Sequence, residues 1–218
     1  TIESRHSVRA YTDRAIPVEI IEALDCLVAE INRTAGLCVR LVTNEPEVFG
    51  KSIMARYGKF SGVRNYFVLA GPRSTDCERQ LGYHGERLVL KAQELGLNTC
   101  WVGLSYSRRR IDAGLPAGAR IYAAIALGYG ATQGVPHKSK TPLQIDPQVD
   151  SAPEWYRRGI DCALLAPTAL NQQKFRFAYL GGKRVKARRG IGFFTKMDLG
   201  IAQLHFEYGA APIIPEWA

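Results

Sequence analysis

Two long segments with helical apolar spacing, each followed by short apolar runs, constrain this chain more than any other feature. In the first, Ile20, Ile21, Leu24, Leu27, Val28 and Ile31 recur at helical intervals behind Pro17, a residue suited to the first helical position. The spacing predicts a helix over 17–32 with one buried face. In the second, Leu81, Leu88, Val89, Ala92 and Leu95 share one side, and Gly96 ends the run. Neither face can stay in water, and the surfaces available to cover them are short apolar strands over 38–42, 66–70, 99–102 and 121–127. The stretch containing Arg56-Tyr57-Gly58-Lys59 carries no readable period. Helices alternating with such strands predict an α+β or α/β sandwich.

After a loop rich in Gly, Pro and Lys the pattern begins again. A shift of 136 positions lays Asp161-Cys162 on Asp25-Cys26 and Arg176 on Arg40, each within a helix-then-strand sequence of matching length. The helix ending at Gly209 matches the one ending at Gly96. The common order of elements favours duplication, with an N-terminal half over 1–150 and a shorter C-terminal half over 151–218.

A chain of 218 residues, 46% hydrophobic and 22% charged, can bury one substantial core or two small fused ones, which excludes a disordered protein. No run approaches the roughly 20 apolar residues of a membrane span, and the polar start Thr1-Ile2-Glu3-Ser4-Arg5-His6 lacks the apolar centre of a signal peptide. The expectation is a cytoplasmic protein without membrane association. Five widely spaced cysteines with no Cys-x-x-Cys pair are expected to be mostly buried, reduced and inert. His84 and His205 have no second ligand at one-turn spacing, so each is expected to serve packing or the surface, and no metal is expected. Gly128-Tyr129-Gly130 lacks the spacing of a dinucleotide loop.

The net charge of +9 favours an anionic partner, a phosphorylated cofactor or a nucleic acid. The run Lys183-Arg184-Val185-Lys186-Ala187-Arg188-Arg189 follows an alternating Phe175, Phe177, Tyr179 and a Gly181-Gly182 turn. That order favours a solvated hairpin arm over a nucleic-acid stripe. Near the start, Arg5, His6, Ser7 and Arg9 place guanidinium, imidazole and hydroxyl donors just ahead of a helix, a set suited to phosphate, ribityl oxygens and a flavin pyrimidine edge, although this segment alone reads more simply as a frayed basic N-terminus.

Arg5-His6-Ser7-Val8-Arg9 resembles the opening motif of the FMN-dependent nitroreductase family, and three later segments resemble that family in the same order. Cys100-Trp101-Val102-Gly103-Leu104 is similar to the turn beside the isoalloxazine ring. Ala126-Leu127-Gly128-Tyr129 with Lys138-Ser139-Lys140-Thr141-Pro142 is similar to the late strand and basic phosphate loop. Ala166-Pro167-Thr168-Ala169-Leu170-Asn171-Gln172-Gln173 resembles the loop that conventional members donate to the flavin from the partner subunit. Here that loop stands in the second half, while Ile31-Asn32-Arg33-Thr34-Ala35-Gly36 in the first half lacks the motif. A second departure is Gln173-Lys174-Phe175 where the family often has Gln-Pro-Trp.

The resemblance implies an α+β, nitroreductase-like α-β-α sandwich whose two related halves form an internal pseudo-dimer, able to act as a monomer. It implies FMN held by Arg5, His6, Ser7, Arg9, Val102, Gly103, Leu104, Lys138, Lys140, Pro167, Thr168, Ala169, Leu170 and Asn171. Arg5, Lys138 and Lys140 would face the phosphate, Arg9 the N1–O2 edge, and Gly103 would let the backbone approach N5. The redox chemistry lies with the flavin, so no protein group is expected to act as a proton-transferring catalyst. The implied reaction passes electrons from NADH or NADPH to a small nitroaromatic, quinone or similar acceptor. Relatives of this fold also perform reductive dehalogenation and flavin fragmentation, and a flavin- or nucleic-acid-binding protein without turnover is the alternative from another class.

Overall fold

The computed structural model describes residues 1–49, 59–107, 111 and 114–218, and Arg56-Tyr57-Gly58 lies outside them. The chain forms two compact units, the first of Thr1, Glu3–Cys77 and Arg87–Pro136, the second of Ile2, Glu78–Glu86 and His137–Ala218. The longest continuous part of the second unit runs from His137 to Ala218.

In the first unit, helix α1 (Val18–Ala35) starts one residue later than the spacing predicts, with Pro17 as its cap rather than its first residue. It buries Leu24, Val28 and Ile31 and ends at Gly36, whose φ of 62° suits a residue without a Cβ. Strand β1 (Arg40–Val42) is shorter than 38–42. The Asn32 amide donates to Val39 O and its carbonyl oxygen accepts from Val39 N, both at 2.8 Å, and Cys38 N donates to Ala70 O at 2.9 Å just ahead of the strand. Strands β2 (Asn65–Gly71), β3 (Asn98–Val102) and β4 (Arg120–Gly128) complete an antiparallel sheet in the order β1-β2-β4-β3. Phe67 faces Ile125, and Cys100 faces Ala126.

Tyr66, Val68, Ala70, Cys100, Val102, Ala124 and Ala126 share one core with Val8 and Tyr11. The alternate residues Phe67, Leu69, Ile125 and Leu127 are just as buried, so both sheet faces are covered. Two covered faces explain why these strands read as continuous apolar runs instead of alternating ones.

Helix α2 (Cys77–Glu94) gives its first turns to the second unit and its last turns to the first. The second unit then contains α3 (Pro142–Ile145), α4 (Glu154–Ala163), β5 (Phe175–Tyr179), β6 (Arg184–Arg189), α5 (Thr195–Ala210) and β7 (Glu216–Trp217). As the sequence predicts, β5 and β6 form a hairpin over Gly181 and Gly182, both at positive φ, with Phe175 and Phe177 buried and Arg176 exposed. β7 joins β6 in parallel. Phe206 anchors an aromatic core, its ring centroid 5.1 Å from Phe177, 5.4 Å from Tyr156 and 5.5 Å from Trp217.

α5 is buried almost all round, so it needs close neighbours on several sides. Glycine supplies the room: a Cβ on Gly200 would lie 2.0 Å from Arg79 O, one on Gly82 2.1 Å from Met197 O, and one on Gly209 2.4 Å from Arg158 O. His205, expected at the surface or in packing, is fully buried, its Nε2 2.9 Å from the equally buried Glu86 Oε1. The cysteines are all free, but only Cys77 and Cys100 are buried and Cys26 is exposed, which corrects the expectation of a mostly buried set. Cys26 sits on α1 between the inward turns of Leu24 and Val28 and so points outward.

The order helix-strand-strand-helix-strand occurs twice, as α1-β1-β2-α2-β3 and as α4-β5-β6-α5-β7. β2 and β3 both run antiparallel to β4 and so share a direction, as β6 and β7 do. The matching lengths expected from the sequence are not found: α4 has 10 residues against 18 in α1, and β5 has 5 against 3 in β1.

Candidate functional site

β3 lies at the edge of its sheet, and an uncovered edge would expose a row of backbone donors and acceptors. The N-terminal segment covers it. Val8 N donates to Thr99 O at 3.0 Å, and Ser7 forms a parallel bridge with Thr99. Tyr11 then ties the segment to itself, its hydroxyl donating to Val8 O at 2.7 Å. The loop after β4 backs onto the same residues: Gly130 N donates to Asn98 Oδ1 at 2.9 Å, and a Cβ on Gly134 would lie 2.8 Å from the Cβ of His6.

This wiring gathers the first set of predicted residues around Cys100. Burial pushes the Cys100 thiol up, while the charge of Arg9, a hydrogen bond with Ser7 and the charge of Arg5 pull the other way. Arg5 is only 4% exposed, His6 and Ser7 are half-buried, and Arg9 is exposed. Just beyond Cys100, Val102 is buried, Gly103 half-buried and Leu104 exposed. A raised thiol in this setting carries little thiolate, in keeping with an inert Cys100.

The second set lies in the second unit and is tied together by Gln173, which is 1% exposed. Its Oε1 accepts from Lys140 N at 2.7 Å and its Nε2 donates to Leu164 O at 3.0 Å. Its own N donates to Thr168 Oγ1 at 3.0 Å, and its carbonyl accepts from Lys140 Nζ at 2.7 Å. Asn171 Nδ2 donates to Lys138 O at 2.8 Å. The basic loop and the Pro-Thr loop are thus one network. Lys138 is exposed, whereas the ammonium of Lys140 is turned onto a carbonyl. Burial, with the charges of Arg176 and Lys174, lowers the Lys140 pKa. Leu170, Asn171 and Gln173 all have positive φ, a conformation unusual for three non-glycine residues in one short loop.

Asp198, in the first turn of α5, holds that strained loop, accepting from Ala169 N at 3.0 Å and from Gln172 Nε2 at 2.7 Å. Neither Asp198 nor the wiring of Gln173 was evident from residue spacing. The available signal was that Asp198 is the first acidic residue after Asp161. Burial outweighs the two hydrogen bonds and pushes its carboxyl from 3.8 up to about 6. The folded form therefore holds this proton more tightly than the unfolded chain does. The resulting stability is fully present below pH 3.8 and is lost as pH rises through about 6. A shift of that size corresponds to a change on the order of 3 kcal/mol. Urea unfolding of Asp198→Asn should show this decline removed between those two values; an unchanged decline would assign it to another group.

A family model described as "Putative TM nitroreductase" matches residues 1–210. Among solved structures, a putative nitroreductase from Thermotoga maritima superposes with a TM-score of 0.64 at 23% identity, over 94% of this chain and 79% of that one. A putative NADH dehydrogenase/NAD(P)H nitroreductase from Bacteroides thetaiotaomicron gives 0.51 at 20% identity, over 65% of this chain and 90% of that one. A protein of the same description from Parabacteroides distasonis gives 0.50 at 22% identity, over 66% and 95%. At these identities the likeness is one of fold. No curated protein sequence matches. With the family match running through both units, the chain belongs to the nitroreductase family that this model describes.

Proposed function

We propose that the protein is an FMN-dependent oxidoreductase that takes electrons from NADH or NADPH and passes them to a small flat acceptor such as a nitroaromatic or quinone. The observation that carries this reading is the gathering of Arg5, Ser7 and Arg9 around the strand that leads into Gly103. FMN, when bound, supplies the redox chemistry between nicotinamide and acceptor.

The chain's own groups fit such a ligand. Arg5 and Lys138 offer positive charge to a phosphate that carries close to two negative charges, and His6 and Ser7 add hydrogen-bond donors. Lys140 contributes its charge while bracing Gln173, so its role is partly structural. Arg9 is the group proposed to stabilise negative charge on the pyrimidine edge. Val102, Gly103 and Leu104 would pass along the ring, with Gly103 allowing the backbone to come close. Pro167, Thr168, Ala169, Leu170 and Asn171 would hold the opposite edge. The repeated order of elements supports reading the chain as two fused halves that share one FMN, active without a second polypeptide.

Arg9→Gln tests the assignment at one atom group. Loss of the cation should lower the flavin midpoint potential and slow reduction by NADPH, because a charge-assisted hydrogen bond contributes about 1.5–3 kcal/mol. An unchanged potential with intact FMN binding would place Arg9 elsewhere.

A further inference from the structure

Eight of the chain's 29 Lys and Arg, and none of its 20 Asp and Glu, lie between Asp161 and Asp198, leaving the remainder near balance at 21 basic against 20 acidic. Most of these cations stand on the β5–β6 hairpin. Arg176 sits directly opposite Arg188, and Lys186 follows on the same face, opposite Ala178. Like charges directly opposite one another destabilise a strand pair. Among the described residues, none of Lys174, Arg176, Arg184, Lys186, Arg188 and Arg189 forms an ion pair with a carboxylate. The fold thus maintains a cationic face that its own residues do not neutralise.

Beside that face stand three large apolar side chains in water. Leu170 is 93% exposed, Ile191 92% and Phe193 83%. They belong to neighbouring loops: Gln172 Nε2 donates to Phe193 O at 2.8 Å, Lys174 Nζ donates to Ile191 O at 3.0 Å, and Gly190 N donates to Lys174 O. Single exposed apolar residues are ordinary, but three at this exposure beside a basic face form a composite surface.

We propose that this end of the second unit docks on an anionic lipid surface, with Ile191 and Phe193 entering the headgroup boundary and Arg176, Lys186 and Arg188 facing lipid phosphates and carboxylates. Each part answers a different component of such a surface: apolar knuckles gain by leaving water, and each cation near an anionic leaflet adds attraction. A second copy of the chain would bring the same cations together, and a nucleic-acid backbone offers no apolar layer for the knuckles. No described helix is long and apolar enough to cross a membrane, so attachment would be peripheral. The proposal departs from the expectation of no membrane association and does not depend on the flavin reading.

The test is co-sedimentation of the full chain with vesicles of phosphatidylcholine mixed with phosphatidylserine, and with phosphatidylcholine alone. Binding should require phosphatidylserine and weaken with added salt. The double substitution Arg176→Gln with Arg188→Gln should reduce partitioning about thirtyfold, from about 1 kcal/mol for each of the two cations at roughly tenfold per 1.4 kcal/mol. Ile191→Ser with Phe193→Ser should reduce it about tenfold or more while leaving any bound flavin in place. Equal binding to both vesicle types, no binding to either, or retention by both double variants would overturn the proposal. So would two further outcomes: a dimer that Phe193→Ser dissociates, or duplex-DNA binding weakened by the arginine changes and untouched by the apolar ones. Loss of vesicle-free NADPH oxidation in Ile191→Ser with Phe193→Ser would also overturn it, by assigning the knuckles to the acceptor site.

Discussion

Gln173→Ala is expected to destabilise the protein by about 3–5 kcal/mol and to weaken FMN binding by at least about tenfold. Gln173 is nearly inaccessible, and its side chain joins Lys140 N to Leu164 O. Truncation leaves a backbone donor and a backbone acceptor without that partner in a site too enclosed for free hydration, and each such loss costs about 1–3 kcal/mol. The effect on affinity is separate in origin. With the carboxamide gone, the basic loop keeps only Lys140 Nζ on Gln173 O and the bond from Asn171 to Lys138 O to hold it to the Pro-Thr loop, and the loop of Leu170 and Asn171 must hold its positive-φ backbone with less support. Gln173→Glu keeps an oxygen that accepts from Lys140 N but sets a carboxylate oxygen against Leu164 O in a buried site, so it should be at least as destabilised as Gln173→Ala. Chemical denaturation and flavin titration check both numbers. Wild-type stability in Gln173→Ala would show that the network is ornamental, and wild-type affinity with reduced stability would separate the loop from the flavin.

Gly200→Ala should also cost above about 3 kcal/mol, and should do so without touching any proposed ligand. The added methyl would stand 2.0 Å from Arg79 O and 2.7 Å from Tyr83 N, which are backbone atoms that no side-chain rotation can move aside. α5 would have to shift relative to the first turns of α2, and that shift would strain the buried pair of His205 and Glu86. Ala is ordinarily the better helix former, so propensity alone predicts a small gain. A destabilised variant therefore reports close packing, and a stabilised one would contradict the packing described.

The long helices and the sheet of the first unit were legible because burial imposes a period on the residues. Leu24, Val28 and Ile31 declare α1, and the all-apolar runs declare β2 and β4. Even there the ends moved: β1 covers only Arg40–Val42 of the apolar run over 38–42, and the Asn32 side chain that binds Val39 has no periodic signature. α5 shows the converse, since a helix buried on nearly all sides has no polar face to give it a period, and its glycines mark contacts with α2 and α4 that only three dimensions reveal. At the candidate site, motifs identified Arg5, Ser7 and Arg9 as a group, and the structure brings them together around Cys100. The motifs did not disclose that Lys140 would brace Gln173, or that Asp198 would anchor the loop from 26 positions beyond Gln172. Those are long-range hydrogen bonds between polar residues, and nothing in local spacing encodes them.

FMN binding by the chain is read most directly from the visible spectrum of the purified protein, followed by heat release and chromatography of any flavin and by mass in solution. The expected result is a flavin spectrum, released cofactor that runs as FMN, one per polypeptide, on a protein of monomeric mass. Release of FAD, or a colourless protein with no affinity for added FMN, would contradict it.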